Sequence, residues 1–306
     1  MAVVPFPRRP PAGLPAGPEP HRLFVETAAG RRIAYAEAGA GPPAVLVHGT
    51  LMTADDMRLG PMEALARRFR CIAFDRPGHG WSDHARGADA SLWAQAATLR
   101  DAVRALGLSR PVICGHSYGG AVALAYGLAY PDEVAGIVAL APICFPEPRL
   151  EHLLFGSRAA PAAGDLLSGA LGTTLDPLVL PALWRAMFLP QTMPERFRAG
   201  FPFARAAHPD RLVAEGENAV ALWADLARSV LGYGTCRVPV RILCGAADIV
   251  VNTWMHGAPA AALIPGARLD LLPGIGHMLH HVHPEAVAAA VAAVAGAPGR
   301  SRLGGP

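Results

Sequence analysis

One serine of this chain stands among small residues in a spacing that suits a nucleophile. Residues 112–133 read VICGHSYGGAVALAYGLAYPDE, so Ser117 lies between Gly115 and Gly119 in a G-x-S-x-G pattern, after a run of strand length and before a helical stretch. A serine at such a sharp turn projects its hydroxyl above the sheet, and its neighbours must be small because the backbone folds tightly there. A serine that merely caps a helix would not require these glycines. The pattern predicts that Ser117 is a nucleophile.

Four histidines near the C-terminus offer the base that a serine hydroxyl needs. They lie in the stretch GIGHMLHHVHPE as His277, His280, His281 and His283. His277 is the first to follow the apolar run ARLDLLPG, and open α/β sheets bind ligands beyond the carboxyl ends of their strands. The Pro-Glu pair after His283 suits the first turn of a helix, which leaves His280 and His281 on a connecting turn as packing or surface residues. The sequence therefore selects His277 as the base.

A metal site is an alternative interpretation of the same histidines. His277 and His281 have the i, i+4 spacing of zinc-binding helices. The glutamate of the H-E-x-x-H motif is missing, and these positions follow a strand rather than lie inside a long helix. We therefore expect no metal at this pair.

The acid that orients the base has two candidates. Asp248 ends the run VRILCGAAD, and the small residues before it let the chain turn away from the sheet. Glu147 follows the run VAGIVALAP, but Pro146 and Pro148 flank it. Asp248 is the preferred acid, although a turn-forming aspartate at a strand end would give the same pattern.

These candidates follow strands that recur along the chain. Six apolar runs of strand length alternate with amphipathic helices, and a hairpin of two shorter strands, HRLFVET and RRIAYAEAG, precedes them. Continuous apolar strands between helices indicate a parallel sheet that is buried on both faces. The predicted fold is α/β, with a mostly parallel eight-stranded sheet, helices on both faces and an inserted helical cap.

The alternation of strands and helices stops over residues 146–235. This stretch is rich in proline and aromatic residues and contains short helical pieces without a comparable strand. It is either a cap over a pocket or a peripheral helical layer with its own small core, and we favour the cap. The core then comprises residues 21–145 and 236–298. Residues 1–20 form a Pro-rich tail without a periodic apolar face, which we expect to be flexible.

The chain resembles the α/β-hydrolase superfamily over roughly residues 21–145 and 236–295. The resemblance rests on four motifs in order: HG at 48–49, DRPGHGWSD at 75–83, GHSYGG at 115–120 and GIGH at 274–277. It implies a serine enzyme of the capped, esterase-like branch.

The resemblance also implies which residues form the site. The superfamily places its nucleophile, acid and base in that order along the chain, which corresponds here to Ser117, Asp248 and His277. It draws an oxyanion hole from two backbone N–H groups. These are Tyr118, the residue after the nucleophile, and Thr50 in the loop after the third strand, with Leu51 as the alternative to Thr50.

Composition and charge exclude several classes of function. The 27 basic residues are all arginine, so a Schiff-base lysine, a pyridoxal-phosphate anchor and a phosphate-loop lysine are absent. A formal net charge of +3, without a basic run interleaved with aromatics, does not indicate a nucleic-acid partner. No apolar run has the length of a membrane span, and the N-terminal stretch lacks the apolar core of a signal peptide, so we expect a cytoplasmic protein. The five cysteines include no C-x-x-C pair and are expected to be buried free thiols.

These features predict an enzyme that hydrolyses an ester or related acyl bond of a small to medium apolar molecule through an acyl-serine, without a cofactor. The superfamily also contains carbon–carbon bond hydrolases, cofactor-free haloperoxidases and acyltransferases that reuse the triad, and these reactions stay open. Haloalkane dehalogenases and most epoxide hydrolases of this fold use an aspartate nucleophile, which Ser117 does not match. A non-catalytic ligand-binding protein on the same scaffold is a further alternative. The sequence does not indicate an oligomeric state.

Overall fold

A central sheet of eight strands forms the frame of the molecule, of which the computed structural model describes residues 21–297. The strands are Leu23–Glu26 (β1), Arg32–Ala38 (β2), Pro43–Val47 (β3), Arg70–Phe74 (β4), Val112–His116 (β5), Gly136–Leu140 (β6), Val240–Gly245 (β7) and Arg268–Leu272 (β8). Their lateral order is β1-β2-β4-β3-β5-β6-β7-β8; β2 is antiparallel to both of its neighbours, and all other pairs are parallel. The prediction of a mostly parallel eight-stranded sheet is confirmed. The tail predicted for residues 1–20 and residue 298 of the predicted core lie outside the described residues.

Alternate side chains of the central strands face opposite layers of helices. In β3, Ala44 and Leu46 pack into one buried cluster, and Val45 and Val47 pack into another. The helices of the first cluster are Ala54–Leu59 (α1), Met62–Leu65 (α2), Leu279–Val282 (α12) and Pro284–Ala295 (α13); those of the second include Leu92–Ala105 (α3), Tyr118–Ala129 (α4) and Gly257–Leu263 (α11). Because both faces are covered, the central strands are continuous apolar runs.

Six helices lie between β6 and β7, where the sequence predicts helical pieces. They are Leu150–Phe155 (α5), Ala163–Thr173 (α6), Asp176–Met187 (α7), Glu195–Gly200 (α8), Phe203–Ala206 (α9) and Pro209–Tyr233 (α10), and we call them together the insertion. Most of its aromatic side chains, such as Trp184, pack in one buried cluster with Leu51 and Met278, which belong to the loops after β3 and β8. The insertion thus shares its core with the loops at the carboxyl edge of the sheet. That it acts as a cap over substrate stays a prediction.

Two further sequence expectations concern the helices and the cysteines. Within residues 21–297, no single helix is long and apolar enough to cross a membrane; α6 and α7 meet that test of length and composition only as a pair bent by 81°. The five cysteines are free and buried, which confirms the expectation for them.

Candidate active site

Ser117 lies where β5 ends and α4 begins. Its backbone has φ 54° and ψ −116°, a conformation that residues other than glycine rarely adopt and that is found where a site stores strain. A Cβ on Gly115 would lie 2.0 Å from the carbonyl oxygen of Gly119, and one on Gly119 would lie 2.3 Å from that of Val47. Close backbone contacts therefore require these glycines. The turn places Ser117 at the carboxyl edge of the sheet.

Asp248 and His277 form a hydrogen-bonded pair at the same edge, after β7 and β8. Oδ2 of Asp248 accepts from Nδ1 of His277 at 2.8 Å. Oδ1 of Asp248 accepts from the backbone N–H groups of Val250 and Val251 at 2.8 and 2.9 Å. Burial by itself raises the pKa of Asp248, but the charge of His277 and these hydrogen bonds outweigh burial and hold the pKa below its usual value. The carboxylate is therefore ionised, and Nδ1 is the ring nitrogen of His277 that carries the hydrogen.

The loop that carries His277 is held from two sides. Gln191, in the insertion, accepts from the backbone N–H of Gly276 at 2.9 Å and donates to the carbonyl oxygen of Gly274 at 2.8 Å. A Cβ on Gly276 would lie 1.9 Å from a carbonyl oxygen of the insertion, so only glycine fits there. From the other side, Nε2 of His116 donates to the carbonyl oxygen of His277 at 3.1 Å.

The structure brings Asp248 and His277 into contact but does not join His277 to Ser117. Within the described residues, no hydrogen bond links the Ser117 hydroxyl to the His277 ring. The ring of His116, the residue before Ser117, is nevertheless close to that of His277, with 4.5 Å between the ring centroids. Contacts between a nucleophile and its base are often long before substrate is bound. That the three side chains act together stays a prediction.

The loop after β3 carries the residues predicted to stabilise an oxyanion. The N–H of Leu51, whose φ is 59°, donates to the buried carboxylate of Glu215, so this alternative donor is already occupied. The N–H groups of Thr50 and Tyr118 have no acceptor in the part of the chain that the structure describes. Tyr118 is the first residue of α4, where N–H groups find no partner within the helix. Thr50 and Tyr118 stay the predicted donors.

Sequence reasoning did not identify Glu215, which comes from α10. Its Oε1 lies 3.2 Å from Nε2 of His79 and 3.9 Å from Nη2 of Arg76. Arg76 in turn donates to the carbonyl oxygen of Gly49 at 3.2 Å and to the side chain of Asn218 at 2.8 Å. Burial raises the pKa of Glu215, but His79 and Arg76 outweigh it and hold the pKa below its usual value. This buried network ties the insertion to the loops after β3 and β4.

Glu147, the other candidate acid, lies apart from His277. It accepts from Arg149 at 2.6 Å and lies 2.8 Å from Nε2 of His256. The structure thus places Asp248, and not Glu147, against the predicted base.

The remaining histidines of the C-terminal stretch have separate surroundings. His280 and His281 were expected to be packing or surface residues on a turn. Both instead lie in the short helix α12, and each donates through Nε2 to Oδ1 of the buried Asp56, at 2.9 and 2.8 Å. The packing role is therefore the one that fits, and the surface role is wrong. His283 is exposed and immediately precedes α13, as expected. His277 and His281 contact different carboxylates and do not converge as an i, i+4 zinc pair would. Asp56 was not among the residues predicted from the sequence. The available signal was an acidic residue close to apolar ones in the stretch LMTADDM.

Comparison of the sequence with known proteins agrees with the observed fold. A sequence profile of the α/β-hydrolase fold matches residues 42–284. The chain belongs to the α/β-hydrolase family. This hydrolase is 33% identical to an uncharacterised protein of Mycobacterium tuberculosis over 287 residues, which cover 87% of the chain and 78% of that relative.

Two further matches extend the comparison. The hydrolase is 28% identical over 277 residues to haloalkane dehalogenase 2 of Mycobacterium tuberculosis, with 85% of the chain and 90% of the relative covered. A solved structure of a hydrolase from Pseudomonas aeruginosa matches with a TM-score of 0.71 and 26% identity, over 91% of this chain and 99% of that one.

A cavity of 290 Å³ lies between the insertion and the loops of the hydrolase sheet. The loops after β3 and β7 line it, with Thr50 and Ile249 among their residues, whereas Ser117 and His277 do not. The insertion contributes aliphatic side chains: Leu150, Leu154, Leu183, Ala186 and Met187. Of the aromatic residues of the insertion, only Phe155 lines this cavity, and it also belongs to the buried cluster.

Proposed function

We propose that this hydrolase cleaves an ester or related acyl bond through a covalent acyl-serine. The observation that carries the proposal is the Asp248–His277 pair, at the same sheet edge as the strained turn of Ser117. Because Nδ1 of His277 is bonded to Asp248, Nε2 is the nitrogen left to take the hydroxyl proton. Ser117 Oγ attacks the carbonyl carbon, and His277 passes the proton to the leaving group. A water molecule that His277 activates then releases the acyl group.

Two backbone N–H groups stabilise the negative charge that develops on the carbonyl oxygen in this reaction. Thr50 and Tyr118 supply them, since both lack an acceptor within the described residues, whereas the N–H of Leu51 is bonded to Glu215. Each donor of this kind changes the rate by about 10²–10³.

The substrate in this proposal is a small to medium apolar ester. The cavity of 290 Å³ is slightly smaller than typical ligand pockets, which span roughly 300–1,000 Å³, and its insertion side is mainly aliphatic, with Glu151 and Phe155 as the exceptions. Arg149 also lines the cavity, but its guanidinium is hydrogen-bonded to Glu147 and Glu151. An anionic substrate would therefore find no free cation there.

The similarity to haloalkane dehalogenase 2 does not carry dehalogenation to this chain. Haloalkane dehalogenases of this fold use an aspartate nucleophile. This chain has Ser117 at the turn between β5 and α4 instead. Carbon–carbon bond hydrolysis, haloperoxidation and acyl transfer use the same three side chains, so the test must also identify the bond that is cleaved.

A fluorophosphonate probe tests the nucleophile, and p-nitrophenyl esters of increasing acyl length test the substrate. Intact-mass spectrometry should show one adduct on the wild type, none on Ser117→Ala and a strongly reduced adduct on His277→Ala. His283→Ala, which removes an exposed histidine of the same stretch, is the matched control and should label like the wild type. Short and medium esters should be turned over faster than long ones.

Two results would contradict the proposal. A folded wild type without an adduct would favour a ligand-binding protein on the same fold. An adduct at Ser117 without turnover of any ester would favour one of the other reactions that use the triad.

A further inference from the structure

A buried carboxylate beneath the proposed active site faces three histidine rings. Asp56, in α1, is fully buried, and its Oδ1 accepts from Nε2 of His280 and His281. Its other oxygen, Oδ2, lies 3.9 Å from Nδ1 of His116. The proposed acyl transfer uses none of these side chains.

The hydrogen-bond partners fix where the ring hydrogens of this cluster lie. A carboxylate oxygen only accepts, so Nε2 of His280 and His281 carries a hydrogen. A carbonyl oxygen also only accepts, so Nε2 of His116 carries one and donates it to His277. Nδ1 of His116 is buried and has no hydrogen-bond acceptor within the described residues, so it carries the lone pair of a neutral ring.

The carboxylate itself is ionised. Its Oδ1 accepts hydrogen bonds from the Nε2 groups of both His280 and His281, as an ionised carboxylate does. Oδ2 of Asp56 and Nδ1 of His116 therefore face each other across 3.9 Å as two lone-pair atoms, without a hydrogen between them.

Three buried atoms of the cluster lack a hydrogen-bond partner in the described part of the chain: Asp56 Oδ2, His116 Nδ1 and His280 Nδ1. Within residues 21–297, the ion partners of Asp56 are imidazoles, and no arginine lies beside it. A buried charge among neutral groups is destabilising. A cation at this point would supply both the missing charge and the missing partners.

We propose that Asp56, His116 and His280 bind a divalent transition-metal ion such as Zn²⁺. One ligand atom from each side chain lies within 4.8 Å of the others. Tetrahedral Zn–N and Zn–O bonds of about 2.0–2.1 Å place ligand atoms about 3.3 Å apart, so Oδ2 and Nδ1, now 3.9 Å apart, would move together by about 0.5 Å on the ion. His116 also has the outer contact of a ligating histidine, because its Nε2 donates to the carbonyl oxygen of His277, and Nδ1 of His280 is the ring nitrogen left without a partner within the described residues.

The surroundings of the site define the role of the ion as structural. The three ligand residues are at most 1% exposed, so substrate cannot reach the ion, and a buried water would complete the four ligands of tetrahedral zinc. Through His116, the ion would fix the backbone of His277. Binding itself does not depend on the Ser117 reaction.

Metal analysis of the full chain, purified without a histidine tag from zinc-supplemented medium, tests the proposal. Mass spectrometry of the metal content should give about one zinc ion per chain, and protein stripped with a chelator should take up Zn²⁺ or Co²⁺ again in equilibrium dialysis. Asp56→Asn and His280→Gln should lose this ion or bind it at least about tenfold more weakly.

Two control variants should keep the ion. His283→Gln, which replaces an exposed histidine of the same stretch, should bind zinc like the wild type. Ser117→Ala should also keep its zinc, which separates this inference from the proposed reaction.

Three outcomes would overturn the inference. One is wild-type protein that neither retains zinc nor takes up Zn²⁺ or Co²⁺, in which case a water molecule that donates to both lone-pair atoms fills the gap. Another is full zinc binding by Asp56→Asn, which would place the ion elsewhere. If Asp56→Asn does not fold, thermal melts of the other proteins replace it. Added Zn²⁺ should then raise the Tm of the wild type and of His283→Gln equally, and that of His280→Gln less. The third contradicting outcome is a wild-type Tm that Zn²⁺ does not change.

Discussion

At the scale of single residues, the turn at Ser117 depends on glycines because backbone carbonyl groups surround it. A Cβ on Gly119 would lie 2.3 Å from the carbonyl oxygen of Val47 and 2.5 Å from that of His48. These oxygens belong to β3 and the loop after it, so they cannot yield as a flexible side chain could.

Gly119→Ala should therefore lower the free energy of unfolding by about 1–3 kcal/mol, the cost of overpacking. The control is Gly169 in α6, where a Cβ meets nothing within 4 Å. Gly169→Ala should be neutral or stabilise the protein by up to about 1 kcal/mol, since alanine favours helices. Urea denaturation measures both values. Equal effects of the two substitutions would show that the contacts at Gly119 do not limit stability.

The acid–base pair gives a second prediction at this scale. Asp248→Asn keeps the size of the side chain but removes the charge that fixes the His277 ring. We expect kcat to fall about 10⁴-fold with KM nearly unchanged, measured by steady-state hydrolysis of a reactive ester. Glu147→Gln should keep nearly full activity, because Glu147 contacts Arg149 and not His277. The opposite ranking of the two variants would make Glu147 the acid.

The sequence identified some of these residues and missed others for a physical reason. Ser117, Asp248 and His277 each follow an apolar strand, so local pattern predicts their edge of the sheet. Glu215 and Asp56 act on partners 164 and 224 positions away along the chain. Their positions depend on how helices pack across the fold, which apolar periodicity does not encode.

At the scale of elements, α10 stabilises the loop after β3 through a buried carboxylate. Glu215 accepts from the N–H of Leu51, and the side chain of Trp184 donates to the carbonyl oxygen of Leu51 at 3.1 Å. Both peptide groups of this left-handed residue are thus held by the insertion. The neighbouring N–H of Thr50 is left without an acceptor within the described chain.

Glu215→Gln keeps an acceptor for Leu51 but removes the charge beside Arg76 and His79. At pH 7 we expect a loss of about 3 kcal/mol in the free energy of unfolding. The folded pKa of Glu215 lies below the unfolded value. The contribution of its charge to the free energy of unfolding is therefore fully present above about pH 4.3 and is lost as the pH falls through the folded pKa. Denaturation at a series of decreasing pH values should show the two proteins converging once the pH falls through the folded pKa of Glu215. Glu285→Gln, at an exposed ion pair, is the control and should differ little from the wild type at any pH. A constant difference for Glu215→Gln would contradict the charge argument.

At the scale of the whole molecule, the alternation of apolar runs and helices predicted the layers and the parallel character of the sheet. It did not predict the lateral order, in which β4 lies between β2 and β3. Periodicity tells which side chains are buried, but lateral order depends on how each connection crosses the sheet. The aromatic content of residues 146–235 likewise does not tell a pocket wall from a core, and most of these side chains form the core that the insertion shares with the loops.

The cavity between insertion and sheet predicts the limit on substrate size. Ala186→Leu in α7 adds volume to the cavity wall and should lower kcat/KM for a medium-length acyl ester by about tenfold, with little effect on the acetyl ester. Leu178→Ala, at a position of α7 that is 74% exposed, should leave both values unchanged. Chain-length profiles of the three proteins provide the measurement. A uniform loss over all chain lengths would mean that this cavity does not hold the acyl group.

The hydrogen bonds of the insertion end on both sides of Ser117. Glu215 and Trp184 hold the loop that carries Thr50, and Gln191 holds the loop that carries His277. A swing of the insertion away from the sheet would release both loops at once. In the proposed reaction both loops supply reacting groups, so we expect the arrangement in which the insertion lies against the sheet to be the reactive one.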